Sequence, residues 1–431
     1  NEDANETPPK GGMQRSEILM NIYEGRRERV LSQLAFGEMM VLYSGESVPC
    51  SMDEGYPFEA NHHFFYLTGL RRENMALVIA NTHRPAHVIL FIEEPIPAME
   101  RWTGRRVTIE EAQKISGIQD VRYIDSIDAL IGRCVARETV NAAYFDCYRN
   151  AVGDADMYNM SKAKAFMAQY PTITLKNAHQ VVSAMRMVKD ADEVAKLEHA
   201  IAITDKGLRR VLATLEPGKM EYQEQAEFEY EIHMRGAEGV SFPTIAGSGI
   251  NGCMLHYGTN HCKLEDGKLL LLDLGARVDG YCADITRTYP INGKYTPRQR
   301  EIYDIVLRAN REIAKAARPG VTLRELNELC KKVLAEGLMA IGKIESADQI
   351  GTYYMHGVSH HLGIDTHDCA VNESEGLRAG MVISDEPGLY IDEEEIGIRI
   401  EDDLLITEDG CRVLSEAIPR EAEEIEALMA R

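Results

Sequence analysis

Five residues in the second half of the chain have the types and settings needed to hold divalent cations. Asp273 interrupts the apolar run Leu269-Leu-Leu-Leu-Asp273-Leu-Gly275. Eleven residues on, Asp284 sits in the β-like stretch Tyr281-Cys-Ala-Asp284-Ile-Thr-Arg287-Thr288. His360 follows, then Glu386 in Ser384-Asp-Glu-Pro-Gly-Leu-Tyr390 and Glu401 in Gly397-Ile-Arg-Ile-Glu401-Asp-Asp403. A carboxylate inside an apolar run is costly unless it is paired, protonated or bound to a cation. Any one of these residues alone reads as an edge-strand or salt-bridged side chain. Four carboxylates and one histidine in five such strands are hard to explain that way together. Oxygen-rich ligation with a single imidazole suits Mn²⁺, Co²⁺ or Fe²⁺, and zinc less comfortably, in a two-metal cluster.

Three other patterns carry less. Gly247-x-Gly249-x-x-Gly252 matches a dinucleotide fingerprint by letter, but Cys253-Met-Leu-His-Tyr257 after it reads as strand. With no helix N-terminus to hold a pyrophosphate, the glycines read as a turn. Ser359 lacks the flanking glycines of a nucleophile elbow. His356 and His360 stand four apart without the glutamate of a zincin.

The elements that must position these residues fall into two domains. Residues 13–176 alternate β-branched apolar runs (Met39–Tyr43, Met75–Ile79, Val88–Ile92) with helical stretches at Ser16–Leu34 and Ile109–Ile115. That is an α/β domain with its own core. Residues 177–431 form the second, opening on Asp190-Ala-Asp-Glu193, an acidic cap ahead of a helical face. Leu215-Glu-Pro217-Gly218 and Arg318-Pro319-Gly320 break helices 102 residues apart, and Thr322-x-x-Glu325 opens the next helix. Thr296-Pro297-x-Gln299 starts a long helix between them. A helix–helix–strand–strand unit used twice predicts a pseudo-two-fold domain with its cleft between halves. Residues 1–12, polar with Pro8, Pro9, Gly11 and Gly12, read as a disordered or appended leader before Met13.

The chain has 431 residues and 47 Lys plus Arg against 69 Asp plus Glu, a formal charge of −22. That balance disfavours binding to nucleic acid or to anionic lipid, and no run of 18 apolar residues predicts a membrane span. Nine scattered cysteines without a CxxC pair fit reduced thiols in the cytoplasm. From Asp385 to Arg431, 16 acidic and 4 basic residues carry −12, over half the total. Within that tail, Asp392-Glu-Glu-Glu395 reads as a solvated hairpin tip and Glu421–Glu426 as a charged helix or frayed end.

From about Gln14 onward the chain resembles the aminopeptidase P (Xaa-Pro aminopeptidase) family. That family lies within the pita-bread metallopeptidases, family M24, beside prolidase, methionine aminopeptidase and creatinase. The carrying blocks are Asn251-Gly-Cys-Met-Leu-His-Tyr257, Leu272-Asp-Leu-Gly-Ala276 and Gly280-Tyr-Cys-Ala-Asp-Ile-Thr-Arg-Thr288, then Met355-His-Gly-Val-Ser-His-His-Leu-Gly-Ile364, Glu386-Pro-Gly-Leu-Tyr390 and Arg399-Ile-Glu401-Asp402. Asp53-x-x-Tyr56-Pro-Phe-x-x-Asn61-x-x-Phe64-x-Tyr66-Leu-Thr-Gly69 resembles the N-domain that separates this family from prolidase. Thr366 departs from the Val or Ile usual before the last motif histidine.

The resemblance implies an N-terminal α/β domain followed by a pita-bread α/β (α+β) catalytic domain. It implies two divalent metals, usually Mn²⁺, held by Asp273, Asp284, His360, Glu386 and Glu401, with Asp284 and Glu401 bridging. The metals would activate a hydroxide, and Glu386 would pass the water's proton to the leaving proline nitrogen. His256, His356 and His367 match substrate-side catalytic histidines that stabilise the oxyanion and position the scissile carbonyl. Tyr390 and Arg399 match residues that orient the carboxylates. Trp102, in Arg101-Trp-Thr-Gly-Arg-Arg106, resembles a substrate-binding loop that reaches a neighbouring subunit's site, which implies a homodimer or homotetramer. The expected activity is release of the N-terminal residue from peptides with proline second. Prolidase is the nearest rival; a non-catalytic peptide-binding scaffold or a metal-free creatinase-like hydrolase would have lost metal ligands present here.

Overall fold

The computed structural model of the chain describes residues 12–137 and 140–430, with side chains from residue 22 onward. The expected leader, 1–12, lies outside the described residues except for Gly12, the first residue of α1. The chain divides into two compact units at Ser183/Ala184, a few residues after the expected division at 176/177.

The first unit is built on six strands: β1 (Glu38–Tyr43), β2 (Ala76–Asn81), β3 (His87–Ile92), β4 (Asp120–Tyr123), β5 (Ala142–Phe145) and β6 (Thr174–Asn177). They lie in the order β4-β3-β2-β1-β5-β6. The β1–β2 and β2–β3 pairs are antiparallel, and the outer pairs are parallel. Helices α1 (Gly12–Gln33), α2 (His62–Thr68), α3 (Pro97–Thr103), α4 (Ile109–Ser116), α5 (Ile127–Arg137) and α6 (Tyr158–Gln169) accompany the sheet, and α7 (Ala178–Arg186) carries the chain onward. Strand β1 is buried along its whole length, hence its unbroken apolar run. Met39 and Val41 face Leu130, Ile131 and Phe166 in one core cluster.

The second unit opens with α8 (Ala191–Thr214), whose N-terminus is closed by the Asp190/Glu193 capping box, and α9 (Glu221–Met234). Strands β7 (Gly239–Val240), β8 (Ile245–Ser248), β9 (Leu269–Leu274), β10 (Ala276–Val278), β11 (Tyr281–Cys282) and β12 (Ile285–Pro290) follow. A second helix pair, α10 (Pro297–Ala316) and α11 (Leu323–Ala340), is capped by Thr296 and Thr322 as their sequences require. Then come β13 (Val382–Asp385), β14 (Gly388–Ile391), β15 (Ile396–Arg399), β16 (Asp402–Ile406) and β17 (Cys411–Val413), with α12 (Ala422–Met429) last. Each helix pair is followed by a three-stranded antiparallel sheet, β12-β9-β8 and β13-β16-β17. One apolar core runs through Leu208, Phe228, Leu272, Ile302, Leu334 and Leu404.

Two expectations change. Cys253–Tyr257 is not a strand: Gly249–Cys253 is a 3₁₀ turn and the residues after it form a loop. The acidic tip between β14 and β15 is ion-paired rather than freely solvated. Glu394 bonds Arg298 and Lys343 at 2.7 Å each, Glu393 meets Lys343 at 2.6 Å, and Glu395 contacts Lys268. No helix among the described residues is long and apolar enough to cross a membrane.

Between β9 and β10 the chain passes through a position that only glycine can occupy. A Cβ on Gly275 would lie 1.8 Å from the Ala283 carbonyl oxygen. Gly275→Ala must therefore push this segment away from Ala283, and overpacking of this kind typically costs about 1–3 kcal/mol, occasionally more. The expected result is a lower denaturation midpoint with reduced metal binding. A variant as stable as the parent would remove this constraint from the fold.

Candidate active site

Strand β9 brings Asp273 to the site. Its partner β12 pairs antiparallel with Thr286 opposite Asp273, and Asp284 lies two residues before Thr286 at the mouth of the same strand. The other two acids come from one long hairpin that breaks in the middle. Asp385 pairs with Asp402 and Gly388 with Arg399, but Glu386, Pro387, Ile400 and Glu401 belong to neither ladder. Pro387 has no N–H to continue the pairing. The freed backbone bonds sideways instead, Glu386 N–H to Val358 O at 2.9 Å and Glu401 N–H to Thr286 O at 3.0 Å. That break turns both side chains toward β9 and β12. Of the five expected ligands, only Asp273 lies inside a strand; Asp284, Glu386 and Glu401 occupy junctions where a ladder has stopped, and His360 lies in a loop.

His360 sits in a loop tied to β13, donating its N–H to Ser384 Oγ at 3.0 Å. Its Nδ1 lies 3.0 Å from the His361 carbonyl, so Nδ1 carries the proton and Nε2 presents a lone pair. Nε2 is 3.3 Å from Asp284 Oδ2 and 3.5 Å from Glu386 Oε1. Ligating atoms of Asp284, His360 and Glu401 all lie within 4.8 Å of one another. Asp273 accepts from Arg399 Nη2 at 2.7 Å through Oδ2, while its buried Oδ1 has no hydrogen-bond partner. Glu401 accepts from the Thr286 hydroxyl at 2.6 Å.

Burial first, and then the neighbouring carboxylates, push Asp284 and Glu401 far above the ordinary acid range. Burial also raises Glu386, although His360 and Arg399 oppose it. Arg399 supplies one positive charge against the four acids, which leaves the cluster short of cation. The orphaned Asp273 oxygen, the His360 lone pair and the carboxylate-rich donor set fit divalent first-row ions.

Arg399 is the hub behind the acids. Besides Asp273 it donates to Thr286 Oγ1 at 3.0 Å and to the Tyr390 hydroxyl at 2.9 Å. Tyr390 in turn stands 2.9 Å from His356 Nε2, and His356 Nδ1 is 2.7 Å from the Gly357 carbonyl. Both His356 nitrogens are thus engaged, so here its ring orients neighbours more than it offers a free N–H. The site opens on a cavity of about 710 Å³, lined by His256, His356 and His367 and by the apolar residues Phe242, Pro243, Ile245 and Leu255. His367 packs against His360 with ring centroids 4.1 Å apart. Burial lowers both His356 and His367 to about 4, so their rings are neutral near pH 7. Trp102 lies in the first unit, on α3, and is 87% exposed.

Two positioning residues escape sequence reasoning. Glu221 opens α9 and looks like an ordinary acid at a helix start, yet it is fully buried. Its carboxylate accepts from Ser248 N and Oγ, Asn251 Nδ2, the Tyr257 hydroxyl and Cys262 N at 2.7–3.0 Å. These bonds outweigh burial and keep its acid low, and they lock the loop that carries His256. Within that loop the Gly247/Gly249/Gly252 run is the expected turn, since Gly249 has φ +53° and a Cβ on Gly247 would meet Asn251 O at 2.8 Å. The second residue is Asp402, adjacent to Glu401. It is clamped by Arg287 at 2.7 Å, Arg420 at 2.6 Å and Ser415 at 2.7 Å.

Comparison with known proteins adds the following. Residues 195–408 match the model of metallopeptidase family M24, and residues 23–143 match that of the aminopeptidase P N-terminal domain. The chain is similar to a Xaa-Pro aminopeptidase of Escherichia coli K12, 34% identical across 96% of this chain and 98% of the relative. It is also similar to solved structures of E. coli aminopeptidase P. One holds the inhibitor Pro-Leu and another is zinc-substituted with product; each has TM-score 0.85 and 33% identity over 95% of this chain and 98% of the other.

Two outcomes are expected from these contacts. Asp284→Asn should abolish metal loading measured by elemental analysis, and unchanged metal content would remove Asp284 from the ligand set. Asp402 should contribute to acid stability. Burial opposes its charge, but Arg287 and Arg420 prevail and hold it at about 2, below the ~3.9 of an unfolded chain. Its contribution is therefore complete above pH ~4 and is lost as pH falls toward 2. Denaturation midpoints of Asp402→Asn, lower throughout, should fall less steeply across that window than those of the parent.

Proposed function

The chain belongs to metallopeptidase family M24 and carries an aminopeptidase P N-terminal domain, and on that premise we propose that it is a Xaa-Pro aminopeptidase. It would release the N-terminal residue from peptides with proline in the second position. The observation that carries this reading is the convergence of Asp273, Asp284, His360, Glu386 and Glu401 on one histidine-lined cavity. A non-catalytic scaffold or a metal-free hydrolase would have no use for so costly a cluster of buried acids.

Asp273, Asp284, His360, Glu386 and Glu401 would together hold two divalent ions, manganese by preference, which lower the pKa of a shared water so that hydroxide is available near neutrality. Glu386, which lines the cavity, would carry a proton from the attacking water to the leaving proline nitrogen. The neutral ring of His367, with His256, offers N–H groups to the scissile carbonyl as charge develops on its oxygen. His356 holds its place through Tyr390 and Gly357, and Arg399 keeps Asp273 and Thr286 aligned. Substrate proline has no N–H and a fixed φ, and the apolar lining of Phe242, Pro243, Ile245 and Leu255 offers its ring an apolar surface.

Trp102, an exposed ring on α3, is the residue that a neighbouring subunit's site would use in a homodimer or homotetramer. None of the nine cysteines is in a disulfide, which favours a reducing, cytoplasmic setting.

A peptide panel tests the reading. With Mn²⁺ present, Xaa-Pro-Yaa peptides should lose their first residue, and Xaa-Ala-Yaa peptides and the metal-stripped chain should give no product. Cleavage of Xaa-Pro dipeptides alone would make the protein a prolidase and overturn the proposal.

A further inference from the structure

The first unit contains a second cluster of ligating side chains that the proposed peptidase chemistry does not use. His63 is the second residue of α2, Asp146 follows the last residue of β5, and His179 is the second residue of α7. His63 Nε2 lies 2.9 Å from His179 Nδ1, and that same Nδ1 lies 3.8 Å from Asp146 Oδ1. One ligating atom from each falls within 4.8 Å of the other two. Two donors on one tetrahedral ion with bonds of ~2.0–2.1 Å stand roughly 3.4 Å apart. The observed separations bracket that value.

The three side chains are held from behind. Asp146 Oδ2 takes a hydrogen bond from Asn61 Nδ2 at 2.6 Å, which turns Oδ1 toward His179, and Oδ1 also accepts the Tyr148 N–H at 3.2 Å. The Tyr148 ring stacks on His179 with centroids 4.5 Å apart and planes at 25°. Asn177 Oδ1 accepts the N–H groups of both Cys147 and His179 at 3.0 Å, tying the end of β5 to the start of α7. The stacked Tyr148 ring and the bond from the His179 backbone N–H to Asn177 hold His179 in place at the start of α7. His63 and Asp146 are buried, and the partly exposed side chain of His179 leaves an approach from solvent.

We propose that His63, Asp146 and His179 bind a zinc-class divalent ion that clamps α2, β5 and α7 together, with water in the remaining position. Two of the three donors are imidazole nitrogens, so the site favours zinc over manganese or magnesium, the reverse of the carboxylate-rich cluster in the second unit. In the metal-free protein one of the two facing nitrogens donates to the other. On binding, that ring moves its proton to its other nitrogen, so both face the ion as lone pairs. A plain histidine–histidine hydrogen bond is the competing account.

Zinc-edge anomalous scattering distinguishes them on the full, unmutated chain. Crystals of manganese-loaded protein given about one equivalent of zinc should show a zinc peak between His63 Nε2 and His179 Nδ1. Zinc found only in the second unit, or nowhere, overturns the site. In solution, His63→Gln and His179→Gln should each lose about one bound zinc per chain or weaken it at least tenfold, while manganese-dependent peptidase activity stays at the parental level. Zinc content equal to the parent's in both variants refutes the site. If a variant fails to fold, the crystal measurement decides alone.

Discussion

Four carboxylates withdrawn from water around one cavity impose a penalty that little else in a protein interior matches. Burial disfavours the charges of Asp284, Glu386 and Glu401, and neighbouring carboxylates add to the penalty. Either cations fill the cluster or its acids take up protons. Much of the second unit follows from holding this unfavourable group in place. Antiparallel strands deliver the backbone rigidly, and the hairpin is broken at Glu386 and Glu401 so that the acids leave the ladder where they are needed.

What surrounds the cluster is a graded set of counter-interactions. Arg399 neutralises one acid and orients two hydroxyls without closing the cavity, because its three donors face Asp273, Thr286 and Tyr390. Arg287, fully buried, gives its charge to the Asp402 carboxylate and meets Glu401, one residue away, through the backbone carbonyl. Glu401, just before β16, and Asp402, the first residue of that strand, turn to different partners. One becomes a structural anchor and the other a candidate ligand.

Legibility varied with the range of the forces involved. The capping boxes at Asp190, Thr296 and Thr322 are local hydrogen-bond chemistry, and each stands where its letters place it. Strands β1, β2 and β3 were readable because burial on both faces leaves an unbroken apolar run. Cys253–Tyr257 misleads for the converse reason. Its apolar letters suit a strand, but Glu221, about thirty residues earlier, captures Asn251 and Tyr257 and shapes a loop. Nothing near Glu221 in the chain distinguishes it from an ordinary acid at a helix start.

By itself the sequence determined the residue types available for chemistry, their order, and the helices and strands whose signals are local. Acids embedded in apolar runs are conspicuous in one dimension because their cost is a property of composition. Only the tertiary structure decided which acid faces the cavity and which faces an arginine. It also decided which histidine nitrogen is free, and that His63, Asp146 and His179 meet at all. The histidine proton is set by a carbonyl one residue away, but the other outcomes depend on contacts between segments more than a hundred residues apart, and hydrogen-bond geometry at that range leaves no periodic trace in the chain.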